Sequence, residues 1–335
     1  MRFDYLKEFL YMKNKFLGKL FLLVCPLVIP FCTGCNVKSE NTKLKIVATI
    51  FPEYDWVMNI VGDKKDNVDV TLLLDSGVDL HSYQPTPKDI VTVSKCDLFI
   101  YVGGESDDWV DDALKQSTNK NMKSINLLET LGDKAKEEEL IEGMEGEEEE
   151  EESEEEIEYD EHVWLSIKNA EIFADEICKA ISSFDADNAE YYKTNSTSYI
   201  NSLKDLDNRY EQTVKEGTRK TLLFADRFPF RYLVEDYKLS YYAAFIGCSA
   251  ETEASFETIK FLANKVDELD LKVILKIESS DGKIANTVKN STQNKDQEIL
   301  TMDSIQSATT KEYEGGRNYL NIMEQNLLIL KEAVK

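Results

Sequence analysis

The stretch "DADNAEYYKTNSTSYINSLKDLDNRYEQTVKEG", residues 185–217, decides how the chain is organised. Apolar and aromatic residues recur in it at steps of three and four, the spacing of one helix face: Ala189, Tyr192, Tyr199, Leu203 and Leu206. Gly217 provides a stop. The pattern predicts a single helix of about 45 Å, at about 1.5 Å per residue. A helix of this length between two lobes is a stiff connection rather than a flexible linker.

Short apolar runs separated by helical patterns lie on both sides of this helix. Those before it are residues 44–51, 68–74, 97–103 and 123–128; those after it are residues 220–225, 239–247, 271–278 and 297–302. Strands that alternate with helices indicate parallel sheets. We therefore predict an α/β fold of two lobes, 44–184 and 218–335, each with a mostly parallel sheet flanked by helices and joined by the rigid helix 185–217.

The N-terminus has the pattern of a targeting segment. A basic start, a short apolar stretch broken by prolines and the ending "CTGC" run from Met12 to Cys35. This pattern favours a lipoprotein signal peptide over residues 1–34, lipidation of Cys35 and a flexible tether over 35–43. The expected location is then the outer face of the cytoplasmic membrane, with an ordinary cleaved signal as the alternative.

Charge is concentrated in one part of the chain. The 335 residues carry a net charge of −25, which argues against nucleic acid or an anionic membrane surface as a partner. Between Glu137 and Glu161 there are 17 acidic residues and no Lys or Arg. We expect a disordered acidic loop at about 135–158, either simply solvated or acting as a weak collector of cations.

The chain has only two histidines, His81 and His162. Several other polar residues lie at or just after predicted strands, where ligands bind in open α/β sheets: Asp226, Glu278 and Asp303. Two imidazoles with carboxylates suit Zn²⁺ or Mn²⁺. The three cysteines beyond the signal region, Cys96, Cys178 and Cys248, are widely spaced and are expected to be small apolar residues rather than metal ligands.

The chain resembles the metal-binding proteins of bacterial zinc or manganese ABC transporters, the cluster A-I solute-binding family, from Leu44 to Lys335. "HSYQPTP" and "DEHVWLS" are similar to the two metal loops of its first lobe, which makes His81 and His162 ligands by resemblance. "YVGGESDDWVD" and "GCSAETEASFETI" also resemble family segments. "IESSD" with "MDSI" looks like the second-lobe pattern of the manganese-type members, and this implies Asp303 as a ligand.

The third ligand departs from the family pattern. The segment "FADRFPFRY" places Arg227 at the ligand position, and a cation does not ligate a cation. A shift of one residue brings Asp226 there, while water or Glu278 is the alternative. Arg227 or Arg231 would instead pair with a carboxylate of the site and orient it.

The resemblance implies capture and delivery rather than catalysis. A monomer would bind one Zn²⁺ or Mn²⁺ between its lobes and pass it to a membrane permease of the ABC type for import. Two alternatives stay open: a metal-dependent hydrolase that uses the same ligands, and a surface adhesin lipoprotein with an incidental metal site. The two-histidine, two-carboxylate set favours manganese, whereas the position of the acidic loop favours zinc.

Overall fold

The computed structural model describes residues 43–145, 158–249 and 253–335. The predicted signal peptide, nearly all of the tether, Cys35 and residues 146–157 of the acidic run lie outside the described residues. In the described part of the chain, no helix has the length and apolarity needed to cross a bilayer.

Every strand predicted from the sequence is present, and every strand pair is parallel. The strands are β1 (Leu44–Ala48), β2 (Val68–Leu72), β3 (Leu98–Tyr101), β4 (Lys123–Asn126), β5 (Thr221–Phe228), β6 (Ser240–Ile246), β7 (Val273–Ile277) and β8 (Glu298–Met302). They form two four-stranded sheets with the orders β2-β1-β3-β4 and β6-β5-β7-β8. The predicted α/β fold with two parallel sheets is therefore confirmed.

Within each sheet a helix lies between consecutive strands, as parallel crossovers require, and further helices precede and follow the second sheet. They are α1 (Phe51–Val61), α2 (Pro87–Ser94), α3 (Trp109–Lys115), α4 (Leu127–Leu131), α5 (Ile167–Phe184), α6 (Ala189–Glu216), α7 (Arg231–Tyr237), α8 (Phe256–Glu268), α9 (Lys283–Ser291), α10 (Thr310–Glu314) and α11 (Tyr319–Ala333). Short polar side chains cap several of them: the Thr86 hydroxyl accepts from the Asp89 amide at the start of α2, and Ser166 does the same for Asn169 in α5.

The long helix α6 has 28 residues and spans about 42 Å. It begins four residues later than predicted because residues 186–188 form a 3₁₀ turn, where Asp185 accepts hydrogen bonds from Asn188 and Tyr192. It ends at Glu216, and Gly217 is extended. All described residues belong to one compact unit, Asn41–Lys335, so the division at residues 184 and 217 stays a prediction.

The helix α6 contacts one helix beside each sheet, α1 after β1 and α11 after β8. The Tyr199 hydroxyl donates to Asp55 of α1 at 3.2 Å, and the Tyr210 hydroxyl donates to the Met323 carbonyl of α11 at 2.6 Å. Arg209 pairs with Glu324 of α11 at 2.8 Å. The helix is thus fixed to both halves of the molecule along its length, which favours small relative movements of the two sheets.

Leu203 is fully buried on the core-facing side of α6. We expect Leu203→Ala to lower the free energy of unfolding by about 2–5 kcal/mol, because it removes buried methyl groups and leaves a cavity. Chemical denaturation measures the loss. The exposed neighbour Asn201→Ala is the matched control and should change stability little. Equal losses in the two variants would show that α6 is not held through this face.

The start of the acidic run packs against the second sheet, contrary to the expectation of a disordered loop from residue 135. The Glu145 amide donates to the Ala244 carbonyl in β6 at 2.8 Å, and Met144 is buried. The Glu138 amide donates to the Glu158 carbonyl at 3.0 Å. The expectation of disorder came from the hydrophobicity and charge of the whole acidic run. The observed contacts depend on only two or three residues of this segment, which such an average does not report.

Candidate metal centre

The candidate site lies among the loops that follow the carboxyl ends of the strands, where ligand sites of open α/β sheets occur. His81 belongs to the 3₁₀ turn Leu80–Ser82, after β2, and His162 directly precedes the 3₁₀ turn Val163–Leu165. From the second sheet, Arg227 lies near the end of β5 and Cys248 follows β6. The loops of both sheets therefore meet at one place.

The two imidazoles converge on each other through the same ring atom. The Nε2 atoms of His81 and His162 are 3.1 Å apart. The other ring nitrogen, Nδ1, has a polar partner in both residues. That of His81 lies 2.9 Å from the Ser106 hydroxyl, and that of His162 lies 3.1 Å from Asp160 Oδ1. Metal-binding histidines are commonly oriented by such a partner on the second nitrogen. The arrangement leaves both Nε2 atoms directed into the same space.

Local backbone geometry holds these rings in place. The Asp79 carboxylate accepts from the His81 amide at 3.1 Å, and Asp160 accepts from the His162 amide at 2.8 Å. Gly104 has a φ of 83°, and a Cβ there would lie 2.4 Å from Glu161 Oε1. Only glycine allows that approach, and Glu161 in turn accepts from the Ser106 amide at 2.8 Å.

Buried charge distinguishes the two rings. Burial, followed by the neighbouring His162, lowers the pKa of His81 to about 3. Burial also acts to lower the pKa of His162, but the nearby carboxylates, led by Asp160, outweigh it and raise this pKa above its usual range. Burial raises the pKa of Glu161 to about 7. The site thus offers one imidazole that is neutral at physiological pH and a second that is tied to a carboxylate.

Cys248 joins the two histidines. One nitrogen from each ring and the Cys248 sulfur all lie within 4.8 Å of one another, and among the described residues these three form the group that could hold a metal ion. The prediction that Cys248 is merely a small apolar residue does not fit this position. The signal was present in the sequence, since Cys248 follows a predicted strand and lies in a segment with family resemblance. Cys96 and Cys178 are buried and reduced, as expected.

Arg227 pairs with a carboxylate beside the histidines, as the sequence allowed. Its guanidinium lies 2.8 Å from Asp79 Oδ2 and donates to the Ser249 carbonyl at 3.3 Å. Although burial acts to raise the pKa of Asp79, Arg227 lowers it below its usual range. With its amide turned to satisfy both neighbours, Gln306 donates to Asp79 and accepts from His162 Nε2 at 3.0 Å. Arg231 pairs instead with Glu139 and Glu235.

The structure does not bring the predicted carboxylates into the group of three. Asp226 accepts from the amides of Arg227 and Ile277 at 2.9 and 3.4 Å. Asp303 pairs with Arg317 at 2.5 Å. Glu278 accepts from the Ser304 amide and hydroxyl, both at 2.8 Å. Each carboxylate already has partners outside the histidine pair, so their role as metal ligands stays a prediction.

Comparison with known proteins agrees with this architecture. The family model described as zinc-uptake complex component A, periplasmic (ZnuA), matches residues 46–333. The chain belongs to the ZnuA family. It is 32% identical over 330 residues to the high-affinity zinc uptake system protein ZnuA of Bacillus subtilis, with 96% of this chain and 99% of the relative covered. The predicted resemblance is confirmed.

Solved structures of related proteins share the fold of this ZnuA-family chain. The metal-dependent lipoprotein YcdH of Bacillus subtilis has a TM-score of 0.70 and 30% identity, with 87% of this chain and 99% of that one covered. The Zn(II)-bound ZnuA-like domain of Streptococcus pneumoniae AdcA has a TM-score of 0.68 and 27% identity, with the same coverage. The chain spans 61% of the length of AdcA as a whole.

Proposed function

We propose that this ZnuA-family protein is an extracytoplasmic, Cys35-anchored monomer that captures one zinc ion per chain and delivers it to an ABC permease. The two Nε2 atoms of His81 and His162, 3.1 Å apart and both oriented from behind, carry the proposal. Two nitrogen ligands of a tetrahedral zinc ion are separated by about 3.4 Å. The relatives named for zinc uptake and the zinc-bound neighbour support zinc as the ion.

Capture follows from how the pair is assembled. His81 and His162 come from segments far apart in the chain, and the second is completely buried. An ion that binds both rings displaces the Nε2 proton that His162 donates to Gln306 and links the two loops, so binding releases a proton and stabilises the folded state. The helix α6, held by both halves, limits the rearrangement that loading requires.

Metal content and affinity together test the proposal. The protein is purified without added metal, its metal content is measured, and the metal-free form is titrated with Zn²⁺ against a chromophoric chelator. We expect one zinc equivalent per chain, bound more tightly than Mn²⁺. Stoichiometric zinc that survives in a His81→Ala, His162→Ala double variant would place the site elsewhere, and absence of binding would refute the function.

The acidic run gives a separate prediction about affinity. Replacing residues 147–156 by a Gly/Ser linker of equal length should leave equilibrium zinc affinity nearly unchanged, because the ligands that we propose lie outside this segment. Chelator competition measures the result. Replacing exposed Glu137 and Glu139 by Gln provides a control with reduced charge in the described part of the run. A hundredfold loss in the linker variant would show that the run supplies ligands.

A further inference from the structure

We propose that the Cys248 thiolate is the third protein ligand of the zinc ion and makes the site select zinc over manganese. This inference rests on the function proposed above and concerns the same site. The observation behind this proposal is the position of the thiol, whose sulfur lies within 4.8 Å of one nitrogen of each imidazole. It is also the member of that group that comes from the second sheet.

The turn that carries Cys248 is packed directly on a histidine ring. A Cβ added to Gly247 would lie 2.9 Å from His162 Cε1 and 3.0 Å from the Phe228 carbonyl. The chain at residue 247 therefore approaches the ring more closely than a side chain would allow. The Cys248 amide is directed at Glu138 Oε1, 3.4 Å away. These contacts place the backbone of residues 247 and 248 beside the imidazoles.

A buried carboxylate lies beside the Nδ1 edge of the His81 ring and adds negative charge next to the group. Glu161 is 2% exposed, and its Oε2 atom accepts no hydrogen bond among the described residues. That oxygen lies 3.4 Å from His81 Nδ1. An unpaired buried acceptor is costly unless positive charge lies nearby. A divalent ion bound to His81 through Nε2 brings positive charge to the ring that this oxygen faces.

The separations of the three ligand atoms are close to those of a zinc site. In a tetrahedral zinc site with Zn–N of about 2.05 Å and Zn–S of about 2.3 Å, nitrogen and sulfur ligands are about 3.6 Å apart. The group spans at most 4.8 Å. The sulfur and nitrogen atoms therefore have to approach one another by about 1.2 Å at most when an ion binds.

Ligand chemistry then determines the preference for one metal. Arg227, the predicted ligand position of the second lobe, is paired with Asp79 at 2.8 Å and offers no lone pair. A thiolate in its stead favours zinc, because soft sulfur ligands select zinc whereas manganese prefers carboxylate and carbonyl oxygens. We expect Cys248→Asp to narrow the ratio of zinc to manganese affinity by about tenfold or more.

Cobalt substitution tests the ligand directly. The reduced full-length protein, stripped of metal, is titrated with Co²⁺, and the near-ultraviolet thiolate-to-cobalt charge-transfer band is recorded. We expect this band in the wild type and its loss in Cys248→Ser, which retains the other five of the six cysteines. Cys96→Ser and Cys178→Ser are matched controls that should keep the band. Far-ultraviolet circular dichroism confirms that each variant is folded.

The outcomes separate this inference from the function on which it rests. A band lost only in Cys248→Ser, together with a narrowed zinc-to-manganese ratio in Cys248→Asp, supports the proposal. Stoichiometric zinc binding that needs both histidines but gives no charge-transfer band overturns the thiolate ligand and leaves zinc capture intact. A band with an unchanged ratio in Cys248→Asp overturns the selectivity. Absence of zinc binding overturns both.

Discussion

Replacing His162 by alanine should lower zinc affinity by on the order of 10²–10³-fold. The free energy of zinc binding at structural sites, about 10–16 kcal/mol, is shared among about four ligands, so one ligand contributes about 2.5–4 kcal/mol. His162 is fully buried and its Nδ1 is held by Asp160, so its Nε2 is already oriented for binding. Competition with a chromophoric chelator measures the change.

Removing a buried ring can also destabilise the fold, so the loss of a ligand has to be distinguished from a loss of folded protein. His81→Ala removes the opposing ligand at a site where the side chain is 9% exposed, so a similar loss of affinity there identifies ligation as the cause. Gln84→Ala, three residues away and exposed, is the matched control. If both histidine variants bind zinc as tightly as Gln84→Ala does, the imidazoles are not ligands.

The positions of the strands could be predicted because apolar runs of six to nine residues are local signals. The rule that ligands meet at the carboxyl ends of parallel strands then placed His81 and the residues after β5 to β8 near one another. Both predictions depend on backbone topology, which a pattern of residue types determines. They needed no knowledge of how individual side chains are directed.

Side-chain direction was not predictable in the same way. Asp303 and Gln306 are three residues apart in the same loop, yet Asp303 turns to Arg317 and Gln306 turns to the Asp79–His162 pair. Residue type alone did not report which of the two turns toward the histidines, and the role of Asp303 as a ligand stays a prediction. Asp303 pairs with Arg317, which lies just before α11, and no local pattern of the sequence reports that contact.

Cys248 illustrates a second kind of limit. Widely spaced cysteines usually behave as small apolar residues. That general expectation does not report that the end of β6 brings the Cys248 thiol to the histidine pair. The Arg227–Asp79 ion pair is likewise a contact between distant segments, 148 residues apart in the chain. Long-range pairs of this kind decide the chemistry of the site, and only the folded chain shows them.

Raising the pH from about 4.5 to about 8 should destabilise the protein, with Glu53 as a main cause. Glu53 is completely buried at the start of α1, where it accepts from the Thr49 and Ile50 amides at 2.7 and 3.3 Å. Burial, with added repulsion from Asp107, raises its pKa from 4.5 to about 8. In this window the folded state keeps a proton that the unfolded state has lost, so the free energy of unfolding falls as pH rises.

The variant Glu53→Gln isolates this contribution, because the amide keeps an acceptor oxygen for the same backbone amides but does not titrate. Its unfolding free energy should fall less steeply than that of the wild type, by up to about 1.4 kcal/mol per pH unit. Chemical denaturation at pH 5, 6, 7 and 8 measures both slopes. Glu129→Gln, an exposed carboxylate in the first turn of α4, is the control and should leave the slope as it is. Parallel slopes for Glu53→Gln and the wild type would mean that Glu53 is ionised in the folded protein, its burial compensated by the two amides and the Thr49 hydroxyl.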